Sequence, residues 1–498
     1  MSETEIEMGV DKSNSDSLSA LGSVNKRHEP PEAINALSWS LGVKIYHTAV
    51  PCFLCFLMYV LNHPKSISYT PADLVTINRS TFSSTVTVPA TPDLMAEFNI
   101  SSTRALLSGT LYMLGLTFGP LILAPLSEFI GRRWLYIATS SSIIAFAGGA
   151  GAARNFATHL ICRFFCGFLG SAGVAIGAGT ILDVWGRGGQ LARLLFICGP
   201  FLGPSLGPLV GAYVMHDRHG DWRWTQWTVV LIGAPIWILT LFMKETADFR
   251  IQRTAKHSGR FGMVQLALST LKAAVLRSVT MLTTEAIALS VTLYTGYAYA
   301  VVFSFFASAP YVYSLDYNFN SRQVGLSVIS VVIGYCLAAV MHIIIEATLY
   351  ARAVRQAPDG QAAPEHRLYA AMVGSIFLPI GLFWYAWAAH QGGNWAVVVA
   401  SGIPFGLGAF IVFLSSISYL VASYGVGTSA SAVAANGSIR YLFGAVFPLF
   451  TTPMYEKLGI HWAGSVFGFL SLALLPIPWI LFKFGYTLRK KSRFIRSA

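Results

Sequence analysis

The chain repeatedly runs the thickness of a lipid bilayer without a single Asp, Glu, Lys or Arg. Such runs are Leu106–Leu126, Trp134–Ala153, Phe164–Leu182, Leu194–Met215, Trp224–Met243, Ala286–Leu315, Gln323–Met341, Leu368–Ala389 and Trp462–Phe482. About 20 apolar residues rising 1.5 Å each cross a ~30 Å hydrocarbon core. The uncharged run Gln391–Ile439 is long enough for one span and the start of another, and divides at Tyr424-Gly-Val-Gly427. With an interrupted first span after Lys44, the expectation is an all-α membrane protein of twelve transmembrane helices in two six-helix halves. Only 11% of its 498 residues are charged and 54% are hydrophobic. A soluble domain carries about 25% charged residues.

The net charge of +12 could point to nucleic acid, but its distribution does not. With both termini in the cytosol, 24 of the 34 Lys and Arg fall on the cytosolic side and six on the other. That asymmetry is the positive-inside pattern, so the basicity orients the protein and needs no nucleic-acid partner. Residues 1–44 read as a disordered cytosolic tail. They are followed by an N-terminal half (45–243), a central cytosolic loop (244–282), a C-terminal half (283–484) and a basic cytosolic tail (485–498).

Several function classes fall away. The Gly-Lys of a P-loop is nowhere in the chain, so uphill transport would draw on an ion gradient. All six cysteines lie in expected spans, and no further ligands flank Cys52 and Cys55, so no metal site is expected. No acid, base and nucleophile cluster as an enzyme needs. A sensor would require a longer cytosolic domain than the tail or the loop offers.

Four stretches carry a resemblance. Ala124-Pro-Leu-Ser-Glu-Phe-Ile-Gly-Arg-Arg133 is similar to the loop between helices 2 and 3 of the major facilitator superfamily, with Ala124 and Glu128 in place of Gly and Asp. Arg163-Phe-Phe-Cys-Gly167 resembles its helix-4 motif. Gly203, Gly207, Pro208 and Gly211 resemble the helix-5 motif of its antiporters, with Ala212 replacing a final Gly. Trp222-Arg-Trp-Thr-Gln-Trp227 resembles the fungal drug:proton antiporters with twelve spans. The resemblance implies a cytosolic latch of Glu128, Gly131, Arg132 and Arg133. It also implies proton and substrate coupling at Arg163, and a helix-5 gate.

The residues themselves carry parallel readings. An Arg in mid-bilayer costs about 2.5–3.5 kcal/mol on insertion scales and should face a wet cavity or a partner. Arg163 and Arg440 are such residues. Arg163 alternatively snorkels to the interface, and Arg440 alternatively caps backbone carbonyls. Glu285 could carry a proton at the start of span 7, with Asp183, His342 and Glu346 behind it. Gly199, Gly203, Gly207 and Gly211 form a stripe on span 5, where a helix of the other half, span 8, is expected to pack. Tyr294, Tyr297 and Phe305 share a face of span 7 and are read as the wall of a substrate cavity. Few acids lie in the spans, which disfavours polycations.

The reading is a proton-coupled exporter of a xenobiotic or secondary metabolite working by alternating access, with no cofactor and no oligomeric partner. An uptake symporter or facilitator is the alternative. The membrane is a fungal plasma membrane, with the vacuolar membrane as second choice. One anomaly stands in span 1. Residues 59–79 interrupt it with Lys65 and Asp73, either as a real extracellular loop or, preferably, as a translated intron.

Overall fold

The computed structural model describes residues 39–53, 79–185, 190–246, 259–358, 360–424, 426–492 and 494. Every regular element among them is a helix. A backbone N–H or C=O left unpaired in hydrocarbon costs several kcal/mol, and a helix pairs both within one segment. The first half holds α1 (Leu41–Phe53), α2 (Arg79–Thr85), α3 (Thr91–Phe98), α4 (Ser102–Ile130), α5 (Arg132–Gly151), α6 (Phe156–Trp185), α7 (Gln190–Asp217) and α8 (Arg223–Leu241). After α9 (Gly259–Thr284) come α10 (Ala286–Tyr317), α11 (Ser321–Ser327), α12 (Ile329–Ile345), α13 (Ala351–Gln356), α14 (Tyr369–Ala388), α15 (Trp395–Ala400), α16 (Gly402–Ser423), α17 (Val426–Leu474) and α18 (Pro476–Lys491).

Nine helical segments among the described residues are long and apolar enough to cross a membrane. The last of them, Thr428–Lys491, has 64 residues, roughly three hydrocarbon thicknesses at 1.5 Å per residue. Gly459, with φ 75°, breaks α17 into two helices. The uncharged run Gln391–Ile439 also divides as expected: α16 ends at Ser423 and α17 begins at Val426. Two stretches outside the expected spans hold helix. The stretch 244–282, read as a loop, contains most of α9, which packs against both α4 and α17. The tail read as starting at 485 is helical to Lys491. Residues 59–78, nearly all of the anomalous stretch, lie outside the described residues.

Large side chains such as Leu231, Phe242, Trp462 and Phe469 are more than half exposed, as suits a surface facing acyl chains. Ion pairs gather at helix ends. Arg132–Asp183 (3.0 Å), Arg367–Glu346 (3.1 Å) and Arg489–Glu365 (2.8 Å) mark one end, called here the basic end. Arg223–Glu97 (2.6 Å) and Arg322–Asp217 (3.1 Å) mark the far end.

The halves meet along two seams. In one, α4 lies against α17: the Thr110 hydroxyl donates to the Ala445 carbonyl (3.1 Å) and Ser438 to the Thr117 carbonyl (3.2 Å). In the other, α7 lies against α11, and the Arg322–Asp217 pair closes its far end.

Candidate functional site

Arg163 is fully buried on α6. Gly167, one turn on, explains how it gets there. A Cβ at Gly167 would overlap the Tyr112 carbonyl, so only glycine lets α6 touch the backbone of α4. That approach sets the guanidinium over the Tyr112 ring, 4.5 Å from its centroid. Its Nη1 donates to the Ser83 hydroxyl (3.0 Å) and its Nε to the Ser108 carbonyl (3.3 Å). Longer bonds of 3.5 Å reach the Ser84 carbonyl and the Thr87 hydroxyl. No carboxylate among the described residues pairs with it. Arg163 does not snorkel; it is held inside by oxygen atoms from α2, α4 and the turn after α2. His159, one turn earlier, extends the network. Its Nδ1 faces the Ala150 carbonyl (3.2 Å), so in the neutral ring Nδ1 carries the proton and Nε2 accepts from Ser108 Oγ (2.8 Å). His159 sits four residues before Arg163, a spacing that put both on one face and was readable in the sequence.

Ser84, Thr87 and Ser108 also line a cavity of about 40 Å³, whose opposite wall is Phe303, Phe306 and Gly444 of the second half. Pockets for organic solutes measure about 300–1,000 Å³. This cavity is therefore too small to hold one.

Arg440 is the second buried cation, 5% exposed. It makes no hydrogen bond or ion pair among the described residues, and its Nε and Nη1 are buried without a partner. Instead its guanidinium lies over the rings of Tyr441 (4.6 Å), Phe413 (4.7 Å) and Tyr299 (5.0 Å). The carbonyl-capping alternative is not what the structure shows. Phe201 of α7 enters the same aromatic box from the first half, 4.7 Å from Phe413 and 5.4 Å from Tyr299. Sequence reading missed Phe201. Its signal was a lone large ring within the glycine and proline run.

α7 tolerates its prolines by borrowing hydroxyls. Pro208 has no N–H, which leaves the Pro204 carbonyl without its helical donor; Thr85 of α2 donates to it at 2.8 Å. Pro204 likewise strands the Pro200 carbonyl, and Tyr299 of α10 donates there at 3.3 Å. Thr81 reaches the Gly199 carbonyl at 3.3 Å. The glycine stripe faces α2. A Cβ at Gly207 would overlap Thr85 and lie 2.9 Å from the Phe82 carbonyl, and one at Gly211 would overlap the Val86 carbonyl. Gly203 is buried on the same helix. This corrects the expectation that the stripe packs against the other half. Contact with α11 runs through the neighbouring face, where Gly325 meets Pro208, Leu209 and Ala212.

At the basic end Arg132 and Arg133 meet other acids than the one expected. Arg132 pairs with Asp183 of α6. The Glu245 carboxylate accepts the backbone N–H of Arg132 (2.8 Å) and of Arg133 (3.2 Å), capping α5 with negative charge where its dipole is positive. Gly131 serves this contact: its φ is 99°, and a Cβ there would lie 2.5 Å from Glu245 Oε2. Glu128, the acid expected from the sequence, is exposed and makes no ion pair among the described residues.

The expected substrate wall is also turned. Tyr297 donates to the Phe467 carbonyl, and Phe305 packs on Tyr385 (5.0 Å) and Phe405 (5.3 Å). Tyr294 is buried with them. All three face the interior of the second half, whereas Tyr299, Phe303 and Phe306 of the same helix face the seam. α10 is apolar all round, so periodicity alone could not phase it. Glu285 stands at the N-cap of α10, where Tyr424 donates to its carboxylate at 3.3 Å. It is at the basic end, away from the cavity. No group of His, Cys, Asp and Glu that could hold a metal occurs among the described residues.

The sequence profile of the Major Facilitator Superfamily matches residues 77–448. The chain belongs to the major facilitator superfamily. This superfamily member is 36% identical over 444 residues to the MFS-type transporter traF of Penicillium crustosum, covering 86% of this chain and 89% of that one. It is 35% identical to the major facilitator superfamily multidrug transporter mdrA of Aspergillus fumigatus, over 81% of this chain and 68% of that one. The human organic anion transporter MFSD10 superposes with a TM-score of 0.55 at 15% identity, over 90% of this chain and all of that one. That likeness carries the fold alone. The protein is thus a multi-pass membrane transporter of small molecules, not an enzyme.

Proposed function

We propose that this superfamily member is a proton-coupled exporter of a small organic solute, a xenobiotic or secondary metabolite. It works without a cofactor, as a monomer of twelve spans in the plasma membrane, with its basic end in the cytosol. The observation that carries the reading is Arg163. It is a fully buried cation held by hydroxyl and carbonyl oxygens at the wall of a cavity shared by both halves. Separating the halves leaves its bonds within the first half in place and opens the cavity that Ser84, Thr87 and Ser108 line, so its field can link solute, proton and conformation. Names such as multidrug transporter and efflux pump among the relatives support export over uptake.

The test uses sealed vesicles. An imposed pH gradient should drive solute against its concentration gradient, and an uncoupler should abolish this. Arg163→Ala should remove coupled transport while the protein still reaches the membrane. Uphill transport that survives the uncoupler, or solute and proton moving in the same direction, overturns the reading.

We also propose that residues 59–79 are a translated intron. The superfamily match begins at residue 77, next to the end of that stretch. Transcript sequencing should find a shorter message, and a chain lacking 59–79 should transport at least as well. A full-length chain that transports while the shortened one fails shows the segment to be part of the protein.

A further inference from the structure

Arg440 poses a problem that its surroundings leave open. A guanidinium carries its five N–H donors in its own plane and stays charged at any physiological pH. The faces of Tyr299, Phe413 and Tyr441 stabilise the charge, but a ring face is no substitute for an oxygen acceptor. Nε and Nη1 therefore remain without partners, while Arg163, equally deep, has several. What remains is a preformed, buried cation enclosed by aromatic walls, with in-plane donors that no protein group takes up.

We propose that Arg440 receives a carboxylate of the transported solute, and that the solute is an organic acid with a flat apolar body. The inference deepens the transport reading above and rests on it. A planar carboxylate matches the donors in geometry and charge. The box around it suits an aromatic or polyunsaturated body: Phe201 already fills part of it from the other half, and Phe303 lies tilted 5.0 Å from Tyr299 on the cavity side. Asn436, one turn before Arg440, adds a second polar point. Its amide donates to Thr295 (2.7 Å) and its Oδ1 is buried without a partner, so a hydroxyl or protonated group of the solute would find an acceptor there. The distribution of acids agrees. Among the described residues the buried carboxylates are Glu285 and Glu365, both at the basic end, so nothing near Arg440 competes for it or would welcome a cation.

The experiment uses the full chain in nanodiscs, with 1-naphthoate and its neutral analogue 1-naphthamide as probes, read by equilibrium dialysis. The wild type should bind naphthoate at least about tenfold more tightly than the amide, the worth of one charge-assisted hydrogen bond. Arg440→Gln should bring the ratio close to one. Arg440→Lys keeps the charge without the planar donors and should hold an intermediate ratio; it serves if the Gln variant does not fold. A wild type that binds both probes equally, or neither, overturns the proposal, as does a preference that survives Arg440→Gln. Vesicles with an imposed pH gradient separate this from the export reading. Gradient-driven movement of the amide with no carboxylate preference sinks the proposal and leaves export standing. A carboxylate preference that depends on Arg440, without gradient-driven movement, does the reverse.

Discussion

Arg163 and Arg440 are two cations buried in one bilayer-spanning body, and the protein handles them in opposite ways. Arg163 is surrounded by oxygen: two hydroxyls and two carbonyls, from three segments of the first half. Arg440 is surrounded by carbon: three rings and no acceptor. A third arginine, at the far end, shows the ordinary solution. Arg223 forms a two-point pair with Glu97, at 2.6 and 2.8 Å, both partners about a third exposed. The contrast teaches that burial of a charge does not define its job. Arg163, with each donor nitrogen engaged, can act only through the network that holds it. Arg440, with Nε and Nη1 taken up by no protein group, is left able to accept a partner.

The largest difference should appear when each cation is replaced by an apolar side chain of similar length. Arg163→Met discards several charge-assisted hydrogen bonds, about 2–4 kcal/mol together, and should lower the melting temperature of purified protein by about 2–4 °C for a chain of this length. Arg440→Met removes an unpaired buried charge, a change that is often neutral or stabilising, and should leave Tm within about 2 °C. Equal losses would erase the distinction drawn here. A smaller, opposite-signed pair comes from the glycines one turn away. Gly167→Ala forces α6 off the Tyr112 carbonyl and should cost about 1–3 kcal/mol. At Gly437 the nearest atom to a Cβ is Arg440 Nη2 at 3.9 Å, so Gly437→Ala has room and should gain up to about 1 kcal/mol of helix propensity. Thermal unfolding of both variants checks the signs.

The smallest effect belongs to Arg223. Its guanidinium holds the Glu97 carboxyl below the ordinary 4.5. A depressed carboxylate stabilises the fold above its unfolded pKa and loses that contribution as pH falls through the folded value. Glu97→Gln should therefore lower Tm slightly at pH 7, by less than about 2 °C for so exposed a pair. The difference should shrink as pH falls below 4.5 and through the folded value. A constant difference across that range would mean the pair acts through packing alone.

Much of the architecture was legible because lipid enforces it. Charge-free runs of span length became helices, and the break at Tyr424 to Gly427 fell where uncharged sequence was too long for one crossing. Arg163 was legible because a mid-bilayer cation beside Gly167 needs an explanation. What was not legible was direction. On α10 every face is apolar, so Tyr294, Tyr297 and Phe305 could not be told from Tyr299, Phe303 and Phe306. Around Arg132 and Arg133, Glu128 was favoured for its nearness in sequence, while Asp183 comes from α6 and Glu245 from the segment after α8. On α7 the glycines announced a close neighbour but not that the neighbour was α2.

The borrowed hydroxyls on α7 bear on how this sequence can change. Pro204 and Tyr299 are distant in the chain, yet one creates the bare carbonyl that the other covers. Losing the phenol hydroxyl alone leaves the Pro200 oxygen thirsty; losing the proline alone returns an amide hydrogen and makes the phenol redundant. Pro208 and Thr85 stand in the same relation. A substitution at either member is judged by the state of its distant mate, so the two are expected to be exchanged together, and a chain without these prolines has no need of the hydroxyls.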